Sequence, residues 1–343
     1  MFYICPKCKR RWQYPLNECP YCLILLDKME SKTAKVSGVI KVTIPTLFHP
    51  EVPFYILLLE DESSNLWAYK SEIEYKIGDE FKYKPCAQPG AVAVWRVKYD
   101  VQETIAKALE LIGGVQIKND SKIVVLPTVA KASHAYFRDN TSPEFLTVMI
   151  QTLLDYGIKT ENIVVASQSF DETPVAAAAQ KSGLIAACAK FSITPVDLAT
   201  TEFVKLGEFM ISKPVVDADL IINLAMEKIG QSNACQNLLK VVKKENYLGQ
   251  KYLSSDAQII ATIEPLLDKM MTVAEAENVQ RSNKLTTYLG LVLVGHSSRN
   301  VDRVFNEIAK SFKVPEIVKD IDLAVVPVAG RTIKEVQYNA EIF

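Results

Sequence analysis

Two pairs of cysteines near the start of the chain constrain its fold more than any other feature. Cys5 and Cys8 form one CxxC pair, and Cys19 and Cys22 form a second. Each CxxC turn points two sulfurs at one place, and two turns joined by a short hairpin supply four thiolates for a tetrahedral ion. The segment is too short to bury a core of its own, so a bound metal would largely fold it. We predict a structural zinc ribbon in which thiolates fill all four positions.

Iron is the alternative metal, because rubredoxins bind it with the same two turns. Rubredoxin turns usually carry glycine directly after the second cysteine, whereas Lys9 and Leu23 occupy those positions here, which favours zinc. A disulfide pair or four free thiols would not explain the doubled spacing.

Composition limits the remaining possibilities. A chain of 343 residues is long enough for two or three domains, and a net charge of −1 disfavours a protein built to bind polyanions. No basic segment precedes an apolar run at the start, and no apolar run reaches about 18 residues, so we expect neither a signal peptide nor a membrane span. The other cysteines, Cys86, Cys188 and Cys235, are expected to be buried thiols, which indicates a reducing compartment and, by default, the cytoplasm.

After the ribbon, short segments rich in β-branched and aromatic residues alternate with turn signals as far as Tyr83. Several short strands in so few residues predict a small closed β-barrel of the OB type. Two prolines and a glycine between Tyr83 and Gly90 indicate a linker. The predicted domains are therefore a zinc ribbon at 1–30, an OB-fold barrel at 31–88 and an α/β domain at 89–343.

The pattern of the third domain predicts a doubly wound, mostly parallel α/β fold, and the chain as a whole is α/β and multidomain. Short apolar runs that resemble buried parallel strands alternate with segments of helical periodicity. The predicted strands are AVAVWRV, 122–126, 162–166, 219–224, 289–294 and 322–326, and the predicted helices are 101–111, 143–156, 174–189 and 301–312.

Ligands of such folds usually bind in loops at the carboxyl ends of the strands. The polar loops predicted there are 127–139, 167–173, 225–237 and 295–302. Lys228, His134 and Asp302 are the candidate catalytic residues, and His134 and His296 are each a candidate general base or metal ligand. Cys235 lies in a polar loop, but the sequence fixes no base beside it, so a buried thiol is the preferred interpretation.

Residues 1–85 resemble domain-of-unknown-function family 35. The resemblance is carried by CPKC and CPYC, then by SGVIKVTI, the acidic hairpin at Asp61 and YKIGDEF. That family joins a rubredoxin-like ribbon to an OB fold and accompanies thiolase-type acyl-CoA enzymes. The resemblance implies that this part of the chain acts with a thiolase or ketosynthase and helps to position the acyl-CoA.

Residues 91–330 resemble domain-of-unknown-function family 362. VAVWRVKYD, KIVVLPTVAK, DADLIINLAMEKIG, QNLLKVV and GLVLVGHSSRNVD follow in the family's order. Lys228 matches the lysine of the family's Lys-x-His motif, but Gly230 stands where the histidine is expected, and Gln236 replaces a lysine beside Asn237. The order of segments supports the fold, and the loss of polar residues argues that activity is reduced or absent.

Three functions remain open. The preferred one is an accessory or scaffold subunit whose zinc ribbon and barrel dock a thiolase- or ketosynthase-type acyl-CoA enzyme, or its acyl-CoA, beside a degenerate α/β domain. The second is an enzyme that acts in the α/β cleft. The third is nucleic-acid binding by ribbon and barrel, which the near-neutral charge disfavours.

Overall fold

The chain forms two compact units, Met1–Lys84 and Pro85–Phe343. A computed structural model describes residues 2–12, 18–29, 33–44, 52–71, 74–81, 90–98, 100–115, 117–170, 173–281, 283–311 and 313–338. His49, Tyr83, Cys86 and Asp171 lie outside these residues. In the described part of the chain, no helix is long and apolar enough to cross a membrane.

The first unit contains a small three-stranded sheet that carries the cysteine turns. Its central strand pairs antiparallel with both neighbours, in the order β2-β1-β3. The three strands are β1 (Phe2–Ile4), β2 (Arg11–Trp12) and β3 (Asp27–Met29).

A second, four-stranded antiparallel sheet completes the described part of the first unit, in the order β6-β5-β4-β7. Its strands are β4 (Ala34–Val42), β5 (Phe54–Asp61), β6 (Leu66–Ser71) and β7 (Glu80–Phe81). Alternate residues of β5 point to opposite faces, so Leu57 and Leu59 are buried whereas Ile56 and Leu58 are exposed. The acidic hairpin at Asp61 is present, since the Asp61 carboxylate accepts hydrogen bonds from the Ser63 and Asn65 backbones between β5 and β6. The described strands do not close into a barrel, so the OB fold remains a prediction.

The second unit is built on an eight-stranded sheet with the order β11-β10-β9-β14-β15-β16-β8-β17. All its strands run in one direction except β16, which is antiparallel to both neighbours. The strands of this unit, including a separate β12–β13 hairpin, are β8 (Val92–Arg96), β9 (Ile123–Pro127), β10 (Ile163–Ser167), β11 (Val196–Asp197), β12 (Phe203–Leu206), β13 (Phe209–Ser212), β14 (Leu220–Lys228), β15 (Met270–Gln280), β16 (Thr286–Gly295) and β17 (Val328–Gly330).

Helices cover both faces of this sheet, because the central strands are apolar on both sides. Ile123 and Val125 of β9 pack with α1 and α2 in one core, whereas Val124 and Leu126 pack with α6 and α8 in another. The helices are α1 (Val101–Leu111), α2 (Pro143–Asp155), α3 (Val175–Ser182), α4 (Leu184–Ala189), α5 (Lys213–Val216), α6 (Asn233–Leu239), α7 (Lys244–Lys251), α8 (Asp256–Ile263), α9 (Ser298–Ile308) and α10 (Ile333–Val336).

The structure differs from the sequence prediction at several elements. The run 322–326 is not a strand but a short 3₁₀ turn, Leu323–Val325, capped by the Asp322 carboxylate. The helix predicted over 174–189 is split at Gly183, whose φ of +85° places it in the left-handed region. Strand β16 is antiparallel, although its apolar run indicated a parallel strand. The prediction failed because the hydrophobicity of a strand does not encode its direction.

Candidate functional site

The four cysteines of the ribbon converge on one point. Their sulfur atoms all lie within 4.8 Å of one another, and Cys8 Sγ and Cys19 Sγ are 3.7 Å apart. A metal bound tetrahedrally at about 2.3 Å from each sulfur requires sulfur–sulfur distances of roughly 3.8 Å. Cys5 and Cys19 are buried, and Cys8 and Cys22 are half-buried. The cluster therefore fits a tetrahedral metal ion in both size and ligand type.

The two cysteine turns share one backbone geometry. Lys9 N donates to Cys5 O at 2.9 Å, and Leu23 N donates to Cys19 O at 2.9 Å. Lys9 and Leu23 have φ angles of +59° and +52°, in the left-handed region that glycine occupies without strain. Lys9 and Leu23 therefore adopt the left-handed conformation that glycine would adopt at these positions, although it is less favourable for a residue with a side chain.

Without a metal, the four neighbouring thiols have unequal pKa values. The pKa of Cys5 is lowered to about 7, first by the Cys8 backbone N–H that points at its sulfur. The pKa of Cys22 is raised to about 12 by burial and by the neighbouring thiols. A divalent cation would lower the pKa of all four thiols, because it stabilises the four thiolates together.

The second cysteine turn presents apolar side chains to solvent. Tyr21, Leu23 and Leu25 are 70%, 77% and 69% exposed. The Arg10 guanidinium stacks over the Tyr21 ring at 3.7 Å, so the basic first turn and the apolar second turn form one continuous surface. We call Tyr21, Leu23 and Leu25, with Arg10, the knuckle surface.

The second unit has a polar cluster at the carboxyl end of β14, on the face covered by α1 and α2. Lys228, the last residue of β14, is almost buried, and its Nζ lies 3.4 Å from Asp139 Oδ1. Burial lowers the pKa of Lys228, Asp139 opposes this effect, and nearby Lys131 adds to it. The β14–β15 register shifts next to this residue, from Met226 opposite Glu275 to Lys228 opposite Gln280.

A second ion pair adjoins the first on this face. Arg138 Nη1 lies 3.2 Å from Glu275 Oε1, and Glu275 Oε2 accepts a hydrogen bond from the Ser142 backbone at 2.9 Å. Burial raises the pKa of Glu275 to about 7, against the opposing effects of Ser142 and Arg138. Near neutral pH this carboxyl is therefore part neutral and part ionised.

Glu227 and Asp302 form a separate acidic pair on the opposite face, beside α6 and α9. Asp302 accepts hydrogen bonds from the backbones of Ala234 and Cys235, at 3.1 and 2.9 Å. Neither carboxyl oxygen of Glu227 has a hydrogen-bond donor among the described residues. Burial and the neighbouring Asp302 raise the pKa of Glu227 well above its ordinary value, and burial raises that of Asp302 to about 6. The backbone N–H groups of α6 therefore satisfy Asp302, whereas none of the described residues donates to Glu227.

The candidate residues from the sequence do not meet in one site. Lys228 and Asp302 lie on opposite faces of the sheet, and Asp302 positions helix α6. His134 follows β9 at the carboxyl edge of the parallel strands, whereas His296 follows antiparallel β16 at the other edge. The expectation that loop 295–302 shares a cleft with 127–139 and 225–237 is therefore wrong at its start, because of the direction of β16.

The other two described cysteines of the second unit and loop 167–173 are the remaining positions from the sequence analysis. Cys188 and Cys235 are buried as predicted, and burial raises the pKa of both thiols, which makes them poor nucleophiles. In loop 167–173, the Gln168 side chain donates to the carbonyls of Lys240 and Val242. Asp171 and Glu172, in the same loop, lie outside the described residues.

The sequence analysis missed Glu275 because it did not identify strand β15. The predicted strands leave out residues 270–280, which form a central strand with Glu275 buried in it. The alternation of apolar and polar residues from Met271 onward was the available signal.

Comparison with known proteins supports part of this picture. Residues 123–235, about a third of the chain, match the model of the family described as "Domain of unknown function (DUF362)". The predicted resemblance to that family is confirmed over this segment. It spans β9 to the start of α6, and so includes Lys228 and most of the polar cluster.

One solved structure, "Ltp2-ChsH2(DUF35) aldolase", is similar at 22% sequence identity, over 29% of this chain and 75% of that chain. Its TM-score of 0.20 is too low to support a common fold. The name of that protein includes the family that residues 1–85 resemble in sequence. No curated protein matches the chain.

Proposed function

We propose that the chain is an accessory subunit whose zinc-held ribbon docks a thiolase- or ketosynthase-type acyl-CoA enzyme. The observation that carries this proposal is the knuckle surface, in which exposed apolar side chains stand on a turn that four cysteines can fix around a metal. The sequence resemblance of residues 1–85 to family 35 supplies the class of partner.

Leu23 is the strongest indication that this surface has a role. Its backbone is left-handed, which disfavours any residue but glycine, and its side chain is 77% exposed. An exposed leucine gains little from burial within its own chain, so the Leu23 side chain itself does not offset the strain. Backbone strain and apolar exposure at one residue are typical of a contact made with another molecule.

The finer parts of the proposal follow from the sequence analysis. The metal is zinc and purely structural, the second sheet of the first unit belongs to an OB fold, and the two form domains 1–30 and 31–88. The domain at 89–343 is a divergent family-362 region that serves as scaffold. Unpaired buried thiols at Cys188 and Cys235 favour a reducing compartment such as the cytoplasm.

Affinity capture with the full chain tests the docking role. Wild-type protein should retain an acyl-CoA enzyme of the thiolase or ketosynthase class, and Leu23→Asp should lose it, because a buried carboxylate at the contact is strongly disfavoured. Leu253→Asp is the matched control, since Leu253 is 82% exposed in the second unit. Retention of no enzyme of this class, or equal retention by Leu23→Asp, would contradict the proposal.

An enzyme acting at the carboxyl edge of the sheet is the second candidate function. The observation that favours it is Lys228, a nearly buried lysine with a lowered pKa, which is a property of lysines that act as bases. Screening acyl-CoA substrates with wild-type and Lys228→Met protein would test it, and a turnover unaffected by the substitution would exclude Lys228 as the base. Salt-sensitive binding of an oligonucleotide would instead favour the nucleic-acid alternative over both.

A further inference from the structure

The sheet of the second unit has a topological switch point between β9 and β14. From β9 the chain passes through α2 to β10 on one side, whereas β14 lies on the other side of β9 and continues into α6. Helix α2 packs on one face of the sheet and α6 on the opposite face. The loops after β9 and β14 therefore diverge, and a crevice at such a point is where open α/β sheets bind ligands.

The loop after β9 is held rigidly over this point. Asn140 Oδ1 accepts from the backbones of Ala130 and Lys131, and Asn140 Nδ2 donates to Lys131 O at 2.8 Å. Gln280 Nε2, from the neighbouring β15, donates to Phe137 O at 2.7 Å. The next residue, Arg138, is left-handed with φ of +54°. Contacts on both sides of the loop thus fix a strained conformation, as expected of a preorganised site.

This rigid loop displays two aromatic rings to solvent. Tyr136 is 72% exposed and Phe137 is 52% exposed, and their rings meet edge to face with centroids 5.8 Å apart. An edge-to-face pair leaves a ring face free for a third aromatic group. Two large exposed aromatics on a fixed loop are typical of a stacking platform.

Hydrogen-bond donors for an anion lie on the same loop and at the end of β14. Lys131 is exposed, and no ion pair engages it among the described residues, while Lys228 lies close enough for Lys131 to lower its pKa. His134 Nδ1 accepts the Tyr136 backbone N–H, so the proton of a neutral ring is on Nε2. The acidic groups nearby are Asp139, paired with Lys228, and Glu275, paired with Arg138. Glu277 lies next to Glu275.

We propose that the switch point between β9 and β14 binds a nucleotide, with its base stacked on Tyr136 and Phe137 and its phosphates held by Lys131, His134 and Lys228. A purine nucleotide matches both the aromatic pair and the anion-binding groups, because it joins a flat aromatic base to a compact anion. The site is independent of the docking role proposed for the first unit.

Titration of the full chain with ADP by isothermal calorimetry tests the site. ADP is preferred to an acyl-CoA as the probe, because the proposed function allows acyl-CoA to bind the first unit. ADP should bind, and adenosine and inorganic pyrophosphate should each bind at least tenfold more weakly, since each supplies half of the recognition. Lys131→Ala and Tyr136→Ala should each weaken ADP binding about tenfold, as expected for the loss of a charged or a stacking contact.

Both substitutions are at exposed side chains, so the variants should fold. Lys190→Ala and Tyr252→Ala are matched controls at exposed positions outside the loop and should bind ADP like wild type. Cys19→Ser should also leave ADP binding unchanged while it abolishes docking, which separates failure of this site from failure of the proposed function. No ADP binding at millimolar concentration, or equal binding by wild type and both loop variants, would overturn the proposal. Pyrophosphate binding as tight as ADP would overturn the role of the aromatic pair.

Discussion

Leu23 shows how one residue can work against stability in its own chain. Its left-handed backbone is accessible to glycine at no steric cost, and its exposed side chain adds nothing that the first unit is seen to use. A position of this kind separates stability from the proposed function, because the substitution that relaxes the backbone also removes the side chain proposed to contact a partner.

Leu23→Gly should therefore stabilise the ribbon by roughly 0.5–1 kcal/mol, the relief of left-handed strain less the added entropy of the unfolded chain. The midpoint of metal release to a chromophoric chelator during heating measures this change. Leu25→Gly is the control, since Leu25 is similarly exposed but is not left-handed, and it should destabilise the ribbon. A lower midpoint for Leu23→Gly than for wild type would contradict the strain argument.

Glu275 should make the second unit less stable as the pH rises. Its folded pKa of about 7 lies above the ordinary value of 4.5, so the folded state holds its proton more tightly than the unfolded state does. The stability it contributes is complete below pH 4.5 and is lost as the pH rises through 7. A shift of this size is on the order of 3 kcal/mol between pH 4.5 and 8.

Glu275→Gln should flatten this dependence, because the amide has no proton to lose. Urea unfolding at pH 5 and pH 8 measures it, and the difference between the two pH values should shrink relative to wild type. Glu144→Gln, at an exposed acid in the first turn of α2, is the control and should behave like wild type. An unchanged difference in Glu275→Gln would show that another group titrates in this range.

At the scale of elements, Asp302 joins two helices. It lies in α9 and holds the first backbone N–H groups of α6, whose own N-cap, Ser232, makes no side-chain capping bond. The first N–H groups of a helix have no partner within it, so helix α6 depends on the Asp302 carboxylate of α9 to accept their hydrogen bonds.

Asp302→Ala should destabilise the second unit by about 2–4 kcal/mol, because it leaves two buried N–H groups unpaired. Chemical unfolding of the full chain checks this value. Asp320→Ala is the control, since Asp320 forms its ion pair with Arg299 at the surface and such pairs contribute little. A loss below about 1 kcal/mol in Asp302→Ala would mean that α6 is held by its apolar contacts alone.

The elements that the sequence predicts well are those whose signals are local. Helix α2 begins at Pro143 as predicted, because the Ser142 hydroxyl accepts the Phe145 N–H and proline fits the first helical turn. The cysteine cluster is also local, since CxxC spacing determines where two sulfurs point.

Other features depend on partners that a single segment does not reveal. The direction of β16 follows from its pairing with β15 and β8, and that direction sends His296 away from His134. Lys228 was placed in a loop, but β14 extends to include it because β15 continues beside it as far as Gln280. The pairing of Asp139 with Lys228 joins residues far apart in sequence, which periodicity cannot detect.

At the scale of the whole molecule, the two units differ in what stabilises them. The second unit buries extensive apolar cores on both faces of its sheet. In the described part of the first unit, the apolar core belongs to the four-stranded sheet, and the cysteine turns add sulfur ligands. A small segment of that kind depends on its metal for folding.

Chelation of the metal should therefore unfold the ribbon and leave the second unit intact. Hydrogen–deuterium exchange followed by mass spectrometry should show faster exchange in residues 2–29 after chelation, while β9 and β14 stay protected. Equal acceleration in both units would contradict the separate roles of metal and apolar core.

The most direct test of the account is the metal content of the purified full chain. Elemental analysis should find one zinc per wild-type chain and its loss in Cys19→Ser, because the buried Cys19 sulfur is one of the four that converge. A coloured protein with one iron per chain, or a wild-type chain with no metal, would contradict the zinc-held ribbon on which the docking proposal depends.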